Sequence, residues 1–229
     1  MFENRSQLVT RLEELADAEY KRFTLKLLPG VNNLIGVCIP ELRLTAKKIA
    51  RENPYMLLDS LNYMQYFEEF MLCGMVIGYA DMDKDSRLER LCTFIDHIDN
   101  WSVCDSTIST CKFMKKDQDF WFEFIKEQLN MSEEYHIRFG AVCIKNYFIN
   151  DTYIDESIMI LQKIKTDQYY AQMSIAWTLC EMYFKYPGKI TDLFENKSLN
   201  TVILKMTIQK IRESDRGTKE SRKQLLKYK

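Results

Sequence analysis

Leu8, Leu12, Leu15 and Ala16 recur at the three- and four-residue spacing of one helix face, which predicts an opening helix ahead of a loop at Pro29-Gly30-Val31-Asn32-Asn33. Pro40 then stands at a first-turn position of a helix over residues 40–50, with Glu41 near its positive end and Lys47, Lys48 and Arg51 near its negative end. Pro54 opens a short helix over 55–61, and residues 65–79 are so apolar that their helix must be buried on most sides. After the polar link 81–86, Leu88, Leu91, Cys92, Ile95 and Ile98 mark another helix, followed by one carrying Trp101 and one over 117–129. Ser132-Glu133-Glu134, Asp151 and Asp167 are start signals for a helix holding Arg138, a helix over 153–164 and a helix holding Trp177. Pro187-Gly188 closes that helix, and residues 193–195, 199–211 and 218–228 finish the chain.

No stretch alternates apolar and polar residues with strand-type turns, and seven glycines and four prolines are few breaks for 229 residues. The expected fold class is therefore all-α. Helices of roughly 10 to 16 residues, joined by short links into units of about 35 to 45, fit an α-solenoid of HEAT-like repeats. A compact helical bundle is the alternative, since no strict internal repeat is visible.

A hydrophobic content of 46% is enough to bury a sizeable core. The first residues, Met1-Phe2-Glu3-Asn4-Arg5-Ser6, lead into an amphipathic pattern rather than a signal sequence. The longest apolar run, 70–80, is far short of the roughly 20 residues that span a bilayer. A soluble, cytoplasmic protein with no membrane partner is expected. Cys38, Cys73, Cys92, Cys104, Cys111, Cys143 and Cys180 are scattered through apolar stretches without a C-x-x-C pair, so they read as reduced thiols rather than a disulfide frame or a zinc site. His97 and His136 stand in no ligand-spaced pair, and no metal or cofactor is called for.

A formal charge of −1 makes no global case for nucleic acid, but the charge is unevenly spread. Lys205, Lys210, Arg212, Arg216, Lys219, Arg222, Lys223, Lys227 and Lys229 face only Glu213, Asp215 and Glu220 at the end of the chain. A solvated terminal helix would explain that tail equally well. Arg43, Lys47, Lys48 and Arg51 form a second basic cluster.

Trp101 and Asp105 are four residues apart, so any helix that carries them puts an indole and a carboxylate on one face. Trp101, Cys104, Asp105, Ile108 and Ser109 share a stripe, on which Trp101 also reads as a core residue and Asp105 as a cap or ion-pair partner. In the next candidate helix Ile137, Ala141, Ile144 and Phe148 make the packing stripe, leaving Arg138, Val142 and Lys145 on an adjoining, partly basic face. That face suits a phosphate, and it suits a solvent-facing arginine paired with Glu134 as well. By spacing with Met173, Cys180 and Phe184, Trp177 reads as a core tryptophan.

The order N-W-x-x-x-D at 100–105, then an arginine helix, then Ile175-Ala176-Trp177-Thr178-Leu179-Cys180-Glu181 resembles the DNA alkylation repair (AlkD-like) family. Residues 35–43, Ile-Gly-Val-Cys-Ile-Pro-Glu-Leu-Arg, resemble that family's G-V-R-x-P-x-L-R segment, and Lys210-Ile211-Arg212-Glu213-Ser214 fits its C-terminal end. The resemblance covers nearly the whole chain. It implies a curved α-solenoid, an ARM-repeat-type superhelix, in one domain over 1–229 of about six helix pairs. It also implies hydrolysis of the N-glycosidic bond of cationic alkylpurines, N3-alkyladenine and N7-alkylguanine, in duplex DNA without a base-flipping pocket. Asp105, Trp101 and Trp177 would be catalytic, and Arg138, Lys145, Arg43, Lys47 and Arg212 would contact the DNA backbone. The protein would act as a monomer with no obligatory protein partner. Cys38 and Cys180 depart from the family pattern where relatives carry basic residues. The competing expectation is a HEAT-repeat module that binds DNA structures, or scaffolds proteins, without cleaving anything.

Overall fold

The computed structural model describes residues 2–228 and, within that span, the side chains of all but Glu220, Ser221 and Leu226. Met1, Lys229 and the Glu220 side chain, all named above, lie outside the described residues. The chain is all-α, with no strand among the described residues. It divides into two compact units, residues 1–113 and 114–229.

In the first unit the helices are α1 (Arg5–Glu14), α2 (Ala18–Leu27), α3 (Ile39–Glu52), α4 (Pro54–Leu58), α5 (Phe67–Tyr79), α6 (Lys84–Ile95) and α7 (Trp101–Ile108). Side chains of Asn4, Asp17, Asn53, Asp83 and Asn100 accept first-turn amide N–H groups at the starts of α1, α2, α4, α6 and α7. Helix α5 is the centre of the unit: α3 packs on one side of it and α7 on another. The approach of α7 depends on two glycines. A Cβ at Gly74 would lie 1.8 Å from Thr107 Oγ1, and one at Gly78 would lie 1.9 Å from Thr110 Oγ1. The backbones meet where no side chain fits.

Two fully buried carboxylates at the start of α5 fasten the preceding chain. Glu69 takes Arg5 of α1 in a two-pronged pair, Nε to Oε1 at 2.6 Å and Nη2 to Oε2 at 2.8 Å, and also accepts the amides of Gln65 and Tyr66. Glu68 accepts the amides of Ile35, Gly36 and Val37 at 2.9, 2.6 and 3.2 Å. Gly36 has φ +114°, and an added Cβ would lie 2.8 Å from Lys21 Cβ, so both conformation and space require glycine there. These bonds hold the Gly36-Val37 stretch that leads into α3.

The second unit contains α8 (Gln118–Leu129), α9 (Glu134–Cys143), α10 (Ile154–Leu161), α11 (Tyr169–Lys185), α12 (Pro187–Glu195), α13 (Thr201–Glu213) and α14 (Lys219–Gln224). Helix α9 runs directly into a π-helical turn, Ile144–Phe148. It packs on both α8 and α11, and α11 on α13. Gly140 lets α8 approach, since a Cβ there would lie 2.6 Å from Leu129 Cγ. Thr178 Oγ1 of α11 donates to Ala141 O of α9 at 2.8 Å. Stacking thus runs α3, α5, α7 in one unit and α9, α11, α13 in the other, an order compatible with a helical-repeat solenoid.

The predicted elements are corrected in three places. Between the opening helix and the loop at 29–33, where no separate element was expected, residues 18–27 form α2, because Asp17 caps a new helix after a break. Residues 55–61 divide into α4 and a 3-10 turn, Leu61–Tyr63. Pro187 ends α11 and also occupies the first turn of α12, where its missing N–H costs nothing. No described helix is long and apolar enough to cross a membrane.

Candidate functional site

In the first unit the candidate side chains form a connected surface on α3, α5 and α7. Helix α7 buries Val103, Cys104, Thr107 and Ile108 and leaves Trp101, Asp105 and Ser109 half-buried on one stripe. Trp101 is therefore not a core residue. Its indole N–H donates to Leu27 O, at the end of α2, at 3.3 Å, which fixes the ring's edge and orients its face. From α3, half-buried Arg43 donates through Nη2 to Ser109 Oγ at 2.8 Å and through Nη1 to Tyr79 Oη at 3.1 Å. Lys47, one turn along α3 and exposed, holds its ammonium 5.5 Å from the centre of the Tyr79 ring. Tyr79 was not singled out from the sequence, and Ser109 only as a member of the Asp105 stripe. For Ser109 the i+4 relation to Asp105 was the available signal; for Tyr79, on a different helix, spacing gave none.

In the second unit Arg138 is only 4% exposed, and Val142 1%. The basic face expected of α9 is overturned because that helix is enclosed by α8 and α11, and residues 136–143 are all buried. Arg138 Nη1 donates to Tyr170 O at 3.1 Å, while Glu134 accepts the Tyr170 amide at 2.6 Å. One turn of α9 thus grips both backbone groups of a first-turn residue of α11. Lys145, half-buried on the π turn, lies 3.7 Å from the centre of the Trp177 ring. Trp177 is half-buried with Met173 and Phe184, while Cys180 on the same stripe is buried, so Trp177 lies at the edge of the core; the core tryptophan is Trp121, 3% exposed. Arg212, on α13, lines a cleft of about 690 Å³ with Lys205, Gln209, Glu213 and Arg222.

The cysteines carry no disulfide. Burial pushes the Cys180 thiol up to about 12, as it does that of Cys73 and Cys111, so these thiols stay neutral. Cys180 is 3% exposed on α11, with the charged groups of Glu181, Arg216, Lys210 and Glu213 acting on it. Cys38 precedes α3 and gives it no side-chain cap. Both histidines are hydrogen-bonded: His136 Nδ1 lies 2.8 Å from Gln128 Oε1, and His97 Nδ1 lies 2.9 Å from Thr93 O. Among the described residues no group of three or more His, Cys, Asp or Glu could hold a metal ion.

No curated protein and no solved structure matches the chain. The sequence model of the DNA alkylation repair enzyme family does, over residues 8–210. That match runs from the first buried leucine of α1 to the last turn of α13 and takes in every candidate residue except Arg212, and the chain belongs to the DNA alkylation repair enzyme family.

Proposed function

We propose that this DNA repair protein is a glycosylase that hydrolyses the N-glycosidic bond of cationic N3-alkyladenine and N7-alkylguanine in duplex DNA. The observation that carries this reading is the pair on α7: Trp101 and Asp105, one helical turn apart, both half-buried on a helix whose other face is core. An alkylated purine is already cationic, so it departs without a general acid, and the barrier lies in positive charge growing on the deoxyribose C1'. Asp105 supplies the compensating negative charge and orients the attacking water. Trp101, with its edge fixed by Leu27 O, lays its negative ring face beside the sugar. Trp177 offers its indole to duplex DNA; Arg43, Lys47, Lys145 and Arg212 contact phosphates, and buried Arg138 acts from within by holding the start of α11 that leads to Trp177. In this reading the chain works as a cytoplasmic monomer and a single domain, with no cofactor and no protein partner.

A second reading, a non-catalytic binder of DNA structures, is favoured by one contact. Lys145 already covers a face of Trp177, and a cation there opposes the approach of a cationic sugar. The two readings separate in one assay of 7-methylguanine and 3-methyladenine release from methylated duplex DNA. Glycosylase action predicts release by the wild-type protein and a loss of about 10²- to 10³-fold in Asp105→Asn with DNA binding retained. Binding without release by either protein establishes the second reading.

A further inference from the structure

We infer that Tyr79 is a phosphate-positioning residue, the neutral member of a three-donor site with Arg43 and Lys47 that holds one backbone phosphate of duplex DNA. The inference rests on the reading above that this face meets DNA. Tyr79 is the last residue of α5, half-buried, between α3 and α7. Its oxygen accepts Arg43 Nη1 at 3.1 Å, and among the described residues its own O–H donates to no acceptor. The partly spent hydroxyls nearby differ: Ser109 Oγ accepts from Arg43 at 2.8 Å but already donates to Ser106 O at 2.6 Å.

A phenol that accepts from a guanidinium is polarised toward donating, and hydrogen bonds in such chains strengthen one another. Its ring is also covered by the Lys47 ammonium at 5.5 Å, so two positive charges flank one phenol. Two of the five N–H groups on Arg43 are occupied by Tyr79 and Ser109, which pins the fork and leaves the others for an oxygen ligand. Both Arg43 hydrogen bonds go to neutral hydroxyl oxygens rather than to a carboxylate. Three donors, two of them cationic and one of these a guanidinium pinned by two hydrogen bonds, suit the oxygens of a phosphodiester. Arg43 also reaches Ser109, the next turn after Asp105 on the α7 stripe, so a phosphate held here sets where the sugar lies along that stripe.

The test is binding of an undamaged duplex oligonucleotide, by fluorescence anisotropy across a salt series, to wild type, Tyr79→Phe and Lys47→Ala. Tyr79→Phe keeps the ring under Lys47 and removes only the donor. It should weaken binding about tenfold with an unchanged slope of log K against log salt, because a neutral phenol releases no counterion. Lys47→Ala should make the slope shallower by about 1. A duplex series with one methylphosphonate at each position in turn should reveal a phosphate whose neutralisation weakens wild type more than it weakens Tyr79→Phe, which keeps Arg43 and Lys47. Wild-type binding that Tyr79→Phe matches at every salt, or neutralisation costs equal in the two proteins at all positions, overturns the inference and leaves the DNA-binding reading standing. Failure of the wild-type protein to bind duplex DNA overturns both.

Discussion

Lys145 and Trp177 show how one side chain can be read two ways until its neighbour is known. An ammonium 3.7 Å from an indole centre is a strong cation–π geometry, and both partners are half-buried, so the attraction is only partly screened. Lys145→Met keeps the aliphatic stem and removes the charge. We expect it to lower stability to urea by about 1 kcal/mol; an unchanged unfolding midpoint would show the contact to be incidental. Trp101 and Trp177 could be found by their type and spacing, but not the exposure that makes them candidates. Spacing with apolar neighbours looks the same for a core stripe and for a half-buried one. Arg138 erred in the opposite direction. Its charge suggested solvent, while its function in the packing is to hold Tyr170 O from within α9.

Among elements, the α5–α7 contact is the one on which the Trp101–Asp105 stripe rests. Gly74→Ala would set a Cβ 1.8 Å from Thr107 Oγ1 and 2.8 Å from Phe94 Cζ. Overpacking of this kind costs about 1–3 kcal/mol and outweighs the helix-propensity gain of up to about 1. Gly188, in the first turn of α12, would meet nothing within 4 Å, so Gly188→Ala should be neutral or stabilising by about 0.5 kcal/mol. Opposite signs in thermal unfolding check the pair; equal effects would mean that α7 can move away from α5 without loss. Most helices were legible because they bury a regular apolar stripe. Helix α2 was not, since it buries only Thr24 and leaves Phe23, Leu25 and Leu27 exposed, so no stripe marks it. Helix α12 was obscured because the same proline that halts one helix can begin the next.

For the molecule as a whole, a net charge of −1 means that any hold on DNA comes from local groups rather than from overall attraction. Stability should fall at both ends of the pH range, for separable reasons. Hydrogen bonds from the Ser86 amide to Asp83, from its own backbone to Glu133 and from Tyr228 to Glu195 hold these carboxyls below their ordinary values of 3.8, 4.5 and 4.5. Their folded-state pKa values are depressed, so the stability they add is complete above those values and is lost as pH falls through the folded ones. Tyr186, bonded to Asp151, and Tyr153, desolvated and bonded to Asp119, are both raised from 10 to about 12. Their contribution is complete below pH 10 and is lost as pH rises through about 12. A melting-temperature profile should show both limbs, and Tyr186→Phe should flatten the alkaline one; a limb unchanged in that variant would assign it elsewhere.

The π turn at Ile144–Phe148 leaves a mark beyond its own five residues. A π turn holds one residue more than the α-helical turn it replaces, so everything downstream is offset by one position from the register that α9 set. An α9 that stayed helical to its end would spend one residue fewer before Ile149. Aligned with such a relative, this chain needs a one-residue gap there, and an alignment that refuses the gap will carry every equivalence drawn around Lys145 one position out of place.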